Sequence, residues 1–217
     1  VSEIFNEIDE EVRRERLKKL WDKYSLLIII VAVLIVAGVG GWRAYQYFEG
    51  KKAAEAGAAF TAAVELAEQN KHAEAEAAFD KVAATAPAGY RNLARLRAAT
   101  EAAAVDPQKG VKLYDAIAAD RAVPAQDRDL ATLKAGQLLV DSAAYNDMVQ
   151  RLEPISGPGA IYRHTARELL ALSAWRANNV AATRQWIEQI NLDPETPASL
   201  RNRAEVLQAL LPPAAKS

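Results

Sequence analysis

The sequence predicts an all-α chain: a charged N-terminal helix, a single membrane-spanning helix, and then a solenoid of helix hairpins. Three observations carry this. Residues 24–42 (YSLLIIIVAVLIVAGVGGW) form an uncharged stretch bounded by Lys23 and Arg43. Helix-favouring Ala, Leu, Glu, Arg and Gln dominate the chain as a whole. Beyond the apolar stretch, Asn, Gly and Pro breaks recur at intervals that hold helices of about three to four turns.

The span is justified by length and by what it lacks. At ~1.5 Å rise per residue, a helix over 24–42 is roughly 28 Å long, close to the hydrocarbon thickness of a bilayer. A soluble core helix is normally shorter and carries a polar stripe, absent here. A cleaved signal peptide is the nearest competitor, with its shorter apolar run and small-x-small cleavage site. Here bulky Trp42, Arg43 and Tyr45 follow the run, so the segment reads as a retained anchor. Ala37 and Gly41 form one small-xxx-small pair, a pattern that supports helix pairing but is common in spans.

Residues 1–23 read as an amphipathic tail. Ile4, Phe5, Ile8, Val12, Leu20 and Trp21 recur mostly at helical spacing, with Glu7, Asp9, Glu10 and Glu11 crowding the first half. Arg13, Arg14, Arg16, Lys18, Lys19 and Lys23 crowd the second half, beside the bilayer, an order that suits the helix dipole. Two readings stand: a solvated extension of the anchor, or a docking tail drawn to anionic lipid headgroups. After the span, only Arg43, Lys51 and Lys52 follow closely, so the positive-inside rule expects a cytoplasmic N-terminus and an exported C-terminal bulk. Trp21, Tyr24, Trp42, Tyr45 and Tyr47 mark the two interfaces.

Composition narrows the chemistry. Net charge is -1, from 27 Lys+Arg against 28 Asp+Glu, so no global field attracts nucleic acid. With no cysteine there is no disulfide, thiol nucleophile or zinc–thiolate site. His72 and His164 are the only histidines, too far apart for a His-x-x-x-His pair, so no metal is expected. Ser142, Ser156 and Ser173 lack a nucleophile-elbow context. Gly157-Pro158-Gly159 reads as a turn, since proline supplies no backbone donor to a phosphate. The expectation is a protein that is no enzyme, with no cofactor and no small-molecule substrate.

From residue 56 the breaks fall at 70–71, 86–89, 106–107, 122–124, 156–159, 178–179 and 193–194. Within the segments a small residue precedes a bulky one by four: Ala75 and Phe79, Gly110 and Tyr114, Ala182 and Trp186, with Met148 and Leu152 as a degenerate version. The bulky members are 35, 38 and 34 residues apart, Pro87 and Pro194 stop two of the helices, and Gly136 occupies a close-approach position. Phe79, Tyr114, Trp175 and Trp186 are expected in the core.

This layout resembles the tetratricopeptide repeat (TPR), whose period is ~34 residues. The fold class that follows is a right-handed, TPR-like solenoid of four hairpins over 56–211, joined to the span by a connector at 43–55 and followed by a tail at 212–217. The leader SEIFNEIDEEVRRERLKKLWDKY, one span and an Ala-rich repeat domain together resemble the YfgM family. That resemblance implies a bacterial inner-membrane protein with a periplasmic repeat domain. It also implies an ancillary role at the Sec protein-export channel (the Sec translocon), beside membrane-anchored periplasmic folding factors.

The first helix of each hairpin lines the inner curve of such a stack. The repeat register turns Phe60, Val64, Asn92, Arg95, Leu130, Leu133, Gln137, His164, Arg167 and Ala171 inward. This is the expected polypeptide-binding groove, mixing apolar and basic groups, with Arg91, Arg97 and Arg163 as further cations. The corresponding function is a protein-binding ancillary factor or chaperone holding exported polypeptides. The alternative is a scaffold that assembles envelope protein complexes without binding clients.

Overall fold

The computed structural model describes residues 2–213, with side chains described from Arg14 onward except at 16, 17, 20 and 28. Every element among the described residues is helical. The chain divides into two units, Val1–Ala54 and Glu55–Ser217. The expected amphipathic stripe through Ile4, Phe5, Ile8, Val12 and Leu20 lies outside the described side chains, and 214–217 of the expected C-terminal tail lies outside the described residues.

The first unit is part of helix α1 (Ser2–Glu68), which includes the connector expected at 43–55. Its most apolar 18-residue window has a mean hydropathy of 2.6, and none of that window is buried in protein. Leu26, Leu34 and Val36 stand mostly exposed. A helix this long and apolar is able to cross a membrane.

The second unit holds the end of α1 and eight further α-helices: α2 (His72–Thr85), α3 (Ala88–Val105), α4 (Pro107–Ala119), α5 (Ala125–Leu139), α6 (Tyr145–Leu152), α7 (Arg163–Arg176), α8 (Val180–Leu192) and α9 (Ala198–Ala209). Consecutive helices pack on one another, and α5 also touches α3 and α7. This is the stacking of a hairpin solenoid, in which each unit meets mainly its neighbours.

Local chemistry sets the turns. Asn70 and Asn178 sit at φ 58° and 54°, the left-handed region that asparagine tolerates. Each ends a helix with the same bond pair: Asn70 N to Ala67 O with Lys71 N to Leu66 O, and Asn178 N to Trp175 O with Asn179 N to Ala174 O. That is the Schellman pattern at the end of α1 and of α7. α3, α5 and α9 start behind Pro87, Pro124 and Pro197, each in an extended conformation that a helix cannot continue backward through. Asp106 caps α4 through its side chain, with Pro107 next in the first helical position.

All the expected breaks are present, and the structure adds one at 140–144, between α5 and α6. No glycine or proline marks that turn, and its signal is limited to Asp141 and Ser142. α6 is also short: Pro154 sits in a 3-10 turn (Glu153–Ile155) and the chain leaves the helix there.

The bulky positions form the core as expected at Phe79, Tyr114, Leu152 and Trp186, all buried. Buried polar ends are satisfied: Trp186 Nε1 donates to Tyr145 Oη at 2.9 Å, and Tyr114 Oη lies 2.8 Å from Thr100 Oγ1. Gly110 lets α4 approach α3 so closely that a Cβ there would lie 2.4 Å from Ala103 Cβ. Trp175 departs from expectation, being 44% exposed on α7. It follows the buried Arg167 and Ala171 by one turn on the same stripe, so burial of that stripe stops short of Trp175.

Candidate protein-interaction surface

Hairpin closure decides what becomes of the expected groove residues. Phe60 packs on Phe79 with ring centroids 5.1 Å apart and on Tyr90 at 6.0 Å, so it belongs largely to the first core, with Val64 partly buried beside it. Asn92 and Leu130 are half-buried, and Gln137 is exposed. Leu133 and Ala171 are buried in the core shared by the third and fourth hairpins, which removes both from any open surface.

The two groove arginines are held by carboxylates from the far end of their own hairpins. Arg95 Nη1 donates to Asp120 Oδ2 at 2.7 Å. That guanidinium, with the Ala122 N–H, holds the Asp120 carboxyl below its ordinary value. Arg167, only 5% exposed, donates from Nε to Ser156 O at 2.9 Å and from Nη1 to Gln189 O and Asp193 Oδ2. Arg167 is therefore a buried structural cation and not a groove lining residue, because desolvating a guanidinium requires such partners.

Around Asp193 the contacts multiply. Arg163 donates to Asp193, to Glu195 and to Ala160 O. Arg201 reaches the Asp193 and Pro194 carbonyls. Arg163 first, and then the backbone N–H of Glu195 and Arg167, hold the Asp193 carboxyl well below the usual carboxylate range against the opposing effect of desolvation. Thr196 Oγ1 donates its proton to Ile190 O, so His164 Nδ1 is the donor in the 3.1 Å bond between them. Burial, and then the Arg163 charge, hold His164 below the ordinary histidine value. His164, Asp193 and Glu195 bring ligand-type atoms within 4.8 Å of one another. With Arg163 and Arg167 on those carboxylates, the group is an ion-pair node that ties the 156–162 loop, α7 and the α8–α9 turn together.

A family model described as a tetratricopeptide repeat-like domain matches residues 18–185, more than half of the chain. The chain belongs to that family. No curated protein and no solved structure matches it.

Within the tetratricopeptide repeat-like solenoid, α1–α2, α3–α4, α5–α6 and α7–α8 are the hairpins, and α9 follows the last. The Arg95–Asp120 and Arg167–Asp193 pairs then occupy equivalent places in the second and fourth hairpins. Asp120 and Asp193 each end a second helix, and each accepts from the N–H two residues on. Each backbone carbonyl accepts from the residue three on, Val123 or Thr196, and each is followed at the fourth residue by the proline that opens the next helix. The repeated Asp-x-x-x-Pro spacing was visible in the chain and is the signal by which these two turn carboxylates were findable.

What stays open on the first helices is more apolar than expected. Leu93 is 45% exposed on α3, and Leu172 and Trp175 are exposed on α7. Arg97 and Lys134 are the exposed cations of α3 and α5, while Arg91 donates to Ala86 O. Exposed apolar side chains with scattered charge are the chemistry of a protein-interaction module.

Proposed function

We propose that this protein is a membrane-anchored polypeptide-binding factor with a cytoplasmic N-terminus and an exported, periplasmic repeat domain in the inner membrane of a bacterium. It serves the Sec protein-export channel as an ancillary factor or chaperone, beside membrane-anchored folding factors. One observation carries the binding part: Trp175, a large aromatic on the first helix of a hairpin, is left 44% exposed beside exposed Leu172. Rigid aromatics of this kind are the usual energetic anchors of protein interfaces. The basic cluster before the span supports the orientation, and the resemblance of the leader, span and Ala-rich repeats to the YfgM family supports the export role.

The groove contributes Asn92, Leu130 and Gln137, with Trp175 in place of Arg167. Photocrosslinkers at Gln137 and Trp175, introduced in cells, capture exported polypeptides, while one at exposed Asp80 on α2 does not. Equal capture at all three positions defeats the assignment of a binding face. Recovery of one stable envelope partner at every position points instead to the scaffold.

A further inference from the structure

The second helices of the hairpins are 14, 13, 8 and 13 residues long, and the third, α6, is the exception. Pro154 ends it early, and the chain crosses to α7 through a loop that needs Gly159 at φ 82°. Beside this loop, against α7 and the end of α8, lies a pocket of about 510 Å³. Its walls include Pro158, Leu192 and Pro194, and its polar lining includes Arg167 and Asp193.

Two features of the pocket stand out chemically. Arg167 is 5% exposed, and its Nε and Nη1 have acceptors in the protein. Its Nη2 has none among the described residues, so a buried guanidinium borders an open pocket with donor capacity to spare. Leu192, meanwhile, is 73% exposed, a large apolar side chain left at the rim. The charges argue about the ligand's sign. Arg163 and Arg167 already hold Asp193 and Glu195, and Arg201 is turned onto the Asp193 and Pro194 carbonyls, so a carboxylate arriving at Arg167 faces Asp193 directly. A neutral acceptor meets no such opposition.

We propose that this pocket binds one uncharged residue of an extended polypeptide. Its apolar side chain packs against Leu192, Pro158 and Pro194, and its main-chain carbonyl accepts from Arg167 Nη2. The inference rests on the polypeptide-binding reading but places a contact apart from the strip that includes Gln137 and Trp175. Pro158 and Gly159 of the loop that follows α6 form one side of the opening that admits the segment.

The test uses the full chain in lipid nanodiscs and the capped peptide acetyl-Ala-photoleucine-Ala-amide as probe. After irradiation, peptide mapping finds label within 158–163 or 189–194. Leu192→Ser lowers that labelling about ten-fold without changing the melting curve, because Leu192 is a rim residue outside the core. Trp175→Ser leaves it unchanged. Unlabelled acetyl-Ala-Leu-Ala-amide competes at lower concentration than the same peptide with a free C-terminal carboxylate. Stronger competition by the free acid overturns the neutral-acceptor assignment. Labelling that Leu192→Ser does not reduce overturns the pocket. Label confined to the Gln137–Trp175 strip also overturns the pocket while leaving the polypeptide-binding reading intact, and label nowhere on the repeat unit overturns both.

Discussion

Replacing glycine by alanine at three positions tests the packing of the solenoid, because the same chemical change meets three different surroundings. At Gly110, in α4, a new Cβ would lie 2.4 Å from Ala103 Cβ, 2.7 Å from Ala103 Cα and 3.1 Å from Ala103 N. None of these atoms can swing aside, so α3 and α4 must separate. Overpacking of this kind costs ~1–3 kcal/mol, and alanine's better helix propensity returns ~1 kcal/mol. Since whole helices have to move, the upper part of that range applies, and Gly110→Ala should destabilise by ~1–2 kcal/mol net. At Gly136 the nearest atoms are the Leu152 side-chain carbons at 2.9, 3.2 and 3.3 Å. A leucine can adjust its rotamer where a backbone cannot, so Gly136→Ala should fall within ~1 kcal/mol of the parent. At Gly89, near the start of α3, nothing lies within 4 Å, and Gly89→Ala should stabilise by up to ~1 kcal/mol. Urea unfolding of a fragment covering 55–217, followed by circular dichroism, gives the order Gly89→Ala above parent, Gly136→Ala near it and Gly110→Ala lowest. A Gly110→Ala protein as stable as its parent, with an unchanged urea slope, would mean that α3 and α4 do not cross at Ala103, and the hairpin register would be wrong.

Phe79 is fully buried between α1, α2 and α3, so Phe79→Ala should cost ~3–5 kcal/mol in the same assay; a loss below ~1 kcal/mol is incompatible with a core position. The Asp193 carboxyl is lowered in the fold from 3.8, so its contribution is full above that value and drains away as pH falls below it. The melting-temperature gap between parent and Asp193→Asn should therefore be full from neutrality down to about pH 4 and narrow progressively below it; a constant gap from pH 7 to pH 2 refutes the node. A periplasm-dependent reporter fused after Ser217 should be active and the same reporter at the N-terminus inactive, whereas the reverse pattern would invert the proposed orientation.

The repeat register was readable before any coordinates because its signals are local. Asn70 and Asn178 stop helices through their own backbone preference, and Pro87 and Pro194, just past the ends of α2 and α8, through the donor and conformations they remove. Small–bulky pairs four apart fall on one helix face wherever the helix packs, which is why Phe79, Tyr114 and Trp186 came out buried. The turn at 140–144 escaped notice because no glycine or proline occupies it, leaving only Asp141 and Ser142 as turn formers.

By itself the sequence determined that this chain is helical, that it carries one stretch able to cross a membrane, and that its remainder folds as tetratricopeptide-like hairpins with the period seen. Only the tertiary structure decided which inward positions remain available. Arg95 and Arg167 look alike in the register as free groove cations, but closing each hairpin brings Asp120 or Asp193 from 25 and 26 residues away onto the guanidinium. Trp175 looks like core and is left 44% exposed, although Ser173 and Ala174 on the same turn of α7 are buried. Helix spacing shows which residues share a face; whether that face meets solvent, an ion-pair partner or a neighbouring helix depends on contacts between residues far apart in the chain.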